Sequence, residues 1–192
     1  MARALRLRPG ARADADADTA QHNVLTDREK SAGWRLLFDG ASLAGWRGYG
    51  RPDMPAGWEA RDGMLVRASR AADIITTERF RNFELSLEWM VHAAGNSGIF
   101  YRAAEGQDAI YMSAPEMQVL DDAGHRDGQS PLTSAGSNYA VNEPIKDVTR
   151  PVGEWNEQEI RAEGSRIRVT LNLRLDRDGS LAARPTFVRS TG

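Results

Sequence analysis

Glu116, Gln118 and Asp121 form the sharpest chemical constellation in this chain of 192 residues. Side chains alternate along an extended strand, so Glu116 and Gln118 share a face and Asp121 points the other way. A β-bulge between them would bring Asp121 onto the same face. Two carboxyl groups about 5 Å apart, one nucleophile and one acid, are what retaining glycoside hydrolysis requires. Here the middle residue is neutral and the last acid is short, which alters both reach and proton affinity. Taken alone, a glutamate on a strand is ordinarily a solvent-facing one. Arg102 pairs equally well with Glu88 across neighbouring strands. His125 lies in a polar loop, where solvation is its usual state. The turn Asn96-Ser97-Gly98 reads as structural, permitted by its glycine. The three histidines are scattered, without the paired spacing of a metal site. Asp121, Asp122 and Asp127 suit a solvated acidic loop better than a calcium site. No metal and no cofactor is assigned.

The elements that must hold these residues are strands. Phe83, Leu85, Leu87, Trp89 and Val91 alternate with Glu84, Ser86, Glu88, Met90 and His92, which predicts a strand over 83–92 with one face in a core. Ile167, Val169, Leu171, Leu173 and Leu175 alternate with polar residues over 166–175, and Gly164-Ser165 joins that run to a strand over 154–163. Asp62-Gly63 between 58–61 and 64–68 is a tight-hairpin signal, because both central residues must accept positive φ. Further strands are expected at 34–38, 74–77, 97–103 and 115–120. Residues 121–138 form a long polar loop, the kind of segment that carries function at the end of a rigid sandwich. One short helix is expected near 25–32, with Thr26 as N-cap and Glu29 completing a capping box. Roughly nine or ten strands suffice for two packed antiparallel sheets.

Composition agrees with a globular domain: 41% hydrophobic and 27% charged residues, with net charge −2. That charge gives no reason to expect nucleic acid as a partner. Cysteine is absent, which removes thiolate chemistry and disulfides. No apolar run is long enough to span a bilayer. The start, Arg-rich and then Asp-Ala-Asp-Ala-Asp, lacks the apolar region of a signal peptide. Residues 1–24 are therefore expected to be a disordered tail, 25–175 the sandwich, and 176–192 an atypical tail.

Four motifs in order resemble the 3-keto-disaccharide hydrolase domain family: Gly33-Trp34-Arg35-Leu36-Leu37-Phe38-Asp39-Gly40 with Leu43-Ala44-Gly45-Trp46; Phe83-Glu84-Leu85 with Gly95-Asn96-Ser97-Gly98-Ile99-Phe100-Tyr101-Arg102; Glu116-Met117-Gln118-Val119-Leu120-Asp121; and Gly153-Glu154-Trp155-Asn156. The resemblance implies an all-β, concanavalin A-like jelly-roll sandwich and a small carbohydrate bound across its concave sheet. It also implies an extracytoplasmic setting, periplasmic or secreted. The spacing of Glu116, Gln118 and Asp121 imitates the Glu-x-Asp-x-x-Glu signature of concanavalin-like glucanases. After Asn172 the pattern departs from the family, which raises the alternative of a sandwich without its last strand, a truncated and inactive fragment.

The implied reaction is cleavage of 3-keto-glycosides by elimination followed by hydration. It needs a base, an electrophile at the keto oxygen and an acid for the leaving oxygen. Under this resemblance Glu116 is the candidate base. Arg102 is the candidate enolate partner, since a guanidinium stays charged and points several donors at one oxygen. Asp121 or His125 is the candidate acid. Gln118 and Glu88 are candidate substrate-binding residues. Trp58 and Tyr111 are candidate stacking platforms for a sugar ring, while Trp34, Trp46, Trp89 and Trp155 are assigned to packing. A carbohydrate-binding module without catalysis is the competing reading.

Overall fold

The computed structural model describes the backbone of residues 2–8 and 186–189 and the full chain over 22–172. In chain order the strands are β1 (Ala2–Arg8), β2 (Arg35–Leu36), β3 (Trp46–Gly48), β4 (Trp58–Arg61), β5 (Met64–Arg67), β6 (Ile74–Thr76), β7 (Phe83–Trp89), β8 (Asn96–Phe100), β9 (Glu116–Leu120), β10 (Asn156–Glu163), β11 (Arg166–Leu171) and β12 (Thr186–Arg189). One α-helix, α1 (Asp27–Ser31), and two short 3-10 turns, Ile110–Met112 and Arg126–Gln129, complete the described elements. The chain is an all-β sandwich.

Local chemistry explains the elements that the sequence makes explicit. At α1 the Thr26 hydroxyl accepts from the Glu29 N–H, and the Glu29 carboxylate accepts from the Thr26 N–H at 2.8 Å. That reciprocal box satisfies two of the orphan donors at a helix start. The β4–β5 hairpin turns on Asp62 (φ 52°) and Gly63 (φ 73°), the two positive φ values such a turn demands. β10 and β11 pair from Gln158↔Leu171 to Glu163↔Arg166 around Gly164.

Eight strands make one antiparallel sheet, in the order β12-β11-β10-β7-β1-β5-β4 with β2 added against β1. Opposite it lie the β8–β9 and β3–β6 pairs. The inner face of β7 (Phe83, Leu85, Leu87, Trp89) joins Ile160, Ala162, Ile167, Val169 and Leu171 in a core that also takes Met117 and Val119 from β9. Burial of these apolar faces against one another is the driving force for joining the two layers. One polar pair is embedded there: Trp89 Nε1 donates to Gln158 Oε1 at 2.7 Å.

Several expectations need correction. Ala2–Arg8 is a strand, where a disordered tail was expected over 1–24. It lies between β7 and β5, and supplies backbone partners to edges that would otherwise be unpaired. Composition cannot signal such non-local pairing. Residues 9–21, the rest of most of that tail, lie outside the described residues. At the other end Thr186–Arg189 adds β12 to the edge of β11 inside the segment expected to be an atypical tail, so a strand follows Asn172 after all. Residues 173–185, where β11 was expected to continue, lie outside the described residues. The strand expected over 97–103 ends at Phe100, because Arg102 adopts φ 58° and cannot continue it. The one expected over 34–38 is only Arg35–Leu36, and β3 was not anticipated.

Candidate active site

β9 is the platform of the site. Its Met117 and Val119 point into the core, so Glu116 and Gln118 face the other way. One edge of β9 pairs with β8, in the register Gly98↔Gln118 and Phe100↔Glu116. The other edge is covered by the chain returning from the long loop: Gln118 N–H donates to Ser137 O at 3.0 Å, and Tyr139 N–H to Glu116 O at 2.9 Å. A β-carbon placed on Gly98 would overlap the Glu116 carboxylate. Gly98 therefore supplies the space in which that carboxylate sits.

Glu116 opens on a cleft of about 500 Å³ whose lining takes in the buried Gln118 together with Asn96, Tyr111, Ala114, Pro115, Asp127, Asn138, Tyr139 and Val141. Burial, reinforced by the negative charges of Asp73 and Asp127, pushes the Glu116 carboxyl up to about 7. Glu116 and Asp127 are the charged residues among those lining it, and both are acidic. The Tyr139 hydroxyl donates to Asp127 Oδ2 at 3.3 Å. Its own pKa is raised, by burial first and then by the charge of Asp127 and their hydrogen bond, so it stays protonated. The Asp127 N–H donates to His125 Nδ1 at 3.2 Å, and His125 Nε2 lies 3.4 Å from the Asn96 amide nitrogen. Asn138 is fixed by Tyr101, whose hydroxyl donates to its Oδ1 at 3.3 Å.

The structure brings Glu116, Gln118 and Tyr111 together in one cleft and puts His125 at its margin, behind Asn96 and Asp127. It places the other expected residues elsewhere. Asp121 Oδ2 accepts from the Ala94 N–H at 2.7 Å, bracing the turn before β8, and no bulge carries it to the Glu116 face. Arg102 donates to the Arg81 carbonyl at 3.2 Å, turned by its positive φ, and does not line the cleft. Glu88 sits on the outer face of β7 and meets His22 at 3.0 Å. Trp58 packs against the core, its indole N–H donating to Ala72 O at 2.9 Å. Asp122 is a second brace, accepting from the Ala135 N–H at 2.8 Å, and no group of three metal-ligating side chains occurs among the described residues.

The sequence reading passed over Asn96, Asp127, Asn138 and Tyr139 as site residues. Asn96 and Gly98 were visible as a turn motif, yet their register opposite Leu120 and Gln118 is what brings them to the site. Asn138 and Tyr139 come from the end of the polar loop, and only its return along β9 places them there.

A model of the family described as 3-keto-alpha-glucoside-1,2-lyase-like domain matches residues 33–178. The chain belongs to this family. A 3-keto-disaccharide hydrolase of Bacteroides thetaiotaomicron is 36% identical over 168 residues, which are 76% of this chain and 56% of that protein. The chain thus spans little more than half the length of that relative. A crystal structure from Parabacteroides distasonis, of a protein designated a glycosyl hydrolase, superposes with a TM-score of 0.76 at 30% identity, over 88% of this chain and 78% of the other. A second structure from the same organism, with the same designation, has a TM-score of 0.58 at 22% identity over 96% and 75% of the two chains, and supports the fold.

Within this 3-keto-alpha-glucoside-1,2-lyase-like domain, the four sequence motifs divide into braces and site. In the first, Asp39 Oδ1 accepts from the N–H groups of Ala41 and Ser42, and Trp46 Nε1 donates to Leu37 O at 2.6 Å. In the last, Asn156 Oδ1 accepts from the Arg150 N–H and from Asn172 Nδ2 at 2.7 Å. These two motifs hold loops to the sandwich. The second and third supply Asn96, Gly98, Glu116 and Gln118 to the cleft.

Proposed function

We propose that this chain cleaves 3-keto-glycosides, with Glu116 as the base that takes the hydrogen from C2. The observation that carries the reading is the Glu116 carboxyl itself, seated over Gly98 in the cleft and raised to about 7. A general base works best when its pKa lies near the operating pH. The keto group at C3 acidifies the C2 hydrogen, so a carboxylate of that strength suffices. The C2–H electrons move into the C2–C3 bond and build negative charge on the keto oxygen. They return to form the C1–C2 double bond as the C1–O bond breaks, and the leaving oxygen takes a proton. Water then adds its hydroxyl to C1, Glu116 returns a hydrogen to C2 after its proton has exchanged with solvent, and the water's remaining proton restores the donor that protonated the leaving oxygen.

The other roles fall to residues of the cleft. The side-chain amides of Gln118 and Asn96 are the donors for the enolate oxygen, in place of Arg102. Tyr139, kept protonated, is the donor for the leaving oxygen once its hydroxyl turns from Asp127 to the bound substrate. The family's description, a 1,2-lyase-like domain, and the name of the Bacteroides relative, a 3-keto-disaccharide hydrolase, match the two halves of this chemistry. An extracytoplasmic setting belongs to the same reading and rests on the family resemblance. No helix among the described residues is long and apolar enough to cross a membrane.

The fate of the C2 hydrogen tests the proposal. When a 3-keto-α-glucoside is cleaved in D2O, elimination and hydration put solvent deuterium at C2 of the sugar product. Cleavage that retains the original C2 hydrogen throughout would mean direct displacement at C1, and the proposal would fall.

A further inference from the structure

The cleft is chemically divided along β9. Gln118, with Asn96 opposite Leu120, supplies amides at the C-terminal end of the strand. Ala114 and Pro115 lead into the other end, where Tyr111 stands on its 3-10 turn. Val141 follows Tyr139, which is bonded to Glu116, and completes that wall. Tyr111 is 69% exposed and Val141 62%, and Met112, next to Tyr111 on the same turn, is 56% exposed. Large apolar side chains left open together mark a binding surface more often than chance exposure. Of the five residues walling this end, only Tyr111 and Tyr139 have polar side-chain groups, and the mechanism takes the Tyr139 hydroxyl for the leaving oxygen. A second sugar ring presents hydroxyls around its rim and would leave most of them without protein partners here.

We propose that this mouth is the aglycone subsite and selects an apolar, flat aglycone, such as an aromatic group, over a second sugar. The inference rests on the reading of Glu116 as the base, because that reading seats the keto sugar on the amide end and sends the leaving group across Tyr111. Tyr111 offers a ring face to an aromatic aglycone, and Val141 closes over its other side. The size agrees: about 500 Å³ holds a hexose and one further ring, within the usual range of small-molecule sites.

Benzyl and methyl 3-keto-α-glucosides separate this contact from leaving-group chemistry, since the two alcohols are of similar acidity. The benzyl compound should be cleaved with a kcat/KM about tenfold above the methyl compound, the scale of a buried aromatic contact. Tyr111→Ala should bring that ratio close to one, and Tyr111→Phe should keep it. A ratio near one in the native chain, a ratio that survives Tyr111→Ala, or a 3-keto-disaccharide that binds the Glu116→Gln protein as tightly as the benzyl compound overturns the subsite while leaving the role of Glu116 intact. Calorimetric titration of the Glu116→Gln protein with both compounds covers the opposite case. If neither is turned over by the native chain but the benzyl compound binds more tightly, the subsite stands and the lyase reading fails. If neither is turned over and they bind alike or not at all, the subsite fails as well.

Discussion

At the scale of single residues, the Glu116 carboxyl is held at odds with its surroundings, and this has two consequences of opposite sign. Only the deprotonated form takes a proton from substrate, so kcat/KM should rise with pH and level off above about 7. Stability should move the other way. The folded chain holds the Glu116 proton up to about 7, whereas the unfolded chain releases it near the ordinary value of 4.5. Between those values the folded state binds more protons, so this group's contribution to stability falls as pH rises through the window. Glu116→Gln should therefore melt at a higher temperature than the native chain at pH 8, with the advantage gone at pH 4; thermal melts at the two values check this. Gly98→Ala should cost activity rather than fold. Its φ is ordinary, and the atoms it meets, from Oε1 back to Cγ, all belong to the Glu116 side chain and none to backbone, so that side chain moves. A drop of about a hundredfold in kcat/KM with an unchanged melting temperature is expected, the scale set by misplacing a reacting group. Glu116 was legible in the sequence through its motif. Its pKa was not, because that depends first on burial in the folded cleft and then on Asp73 and Asp127, which no spacing rule connects to it.

At the scale of elements, β9 works because both its edges are occupied, by β8 and by the returning chain at 136–139. The loop that makes this return is braced by Asp121 and Asp122 and packed tightly at Gly128, where a β-carbon would run into the backbone of Asp122. Asp121 is thus a brace. Asp121→Asn keeps an oxygen for the Ala94 N–H and should retain turnover, while Asp121→Ala leaves that donor without its partner. The alanine variant should lose about 1–3 kcal/mol in urea unfolding. A similar loss is expected for Asn156→Ala, which frees the Arg150 N–H and the Asn172 amide. Elements written in short-range chemistry were legible: α1 by its capping box, the β4–β5 turn by Asp62-Gly63, β7 by its alternation. Strand ends were less so, since β8 stops at a positive φ on Arg102 that nothing in that residue's type demands.

At the scale of the whole molecule, the eight-stranded sheet is completed by the two ends of the described chain. β1 enters between β7 and β5, and β12 extends the opposite edge beyond β11. Neither was legible, because each is defined by a partner distant in sequence and not by its own pattern. A chain lacking residues Ala2–Arg8 should melt at a lower temperature, since the β7 and β5 edges then lose their backbone partners. The sandwich matters to function by turning Met117 and Val119 of β9 into the core and leaving Glu116, on the opposite face, at the cleft. The central claim joins that cleft to one substrate feature, the ketone at C3. Its most direct test is turnover of a 3-keto-α-glucoside and of the matched ordinary glucoside by the native chain and by Glu116→Gln. The native chain should cleave the keto compound alone, and the variant should lose at least about a thousandfold of that rate, in the range of general-base catalysis. Equal cleavage of the keto compound by the variant, or no cleavage of it by the native chain, would contradict the account.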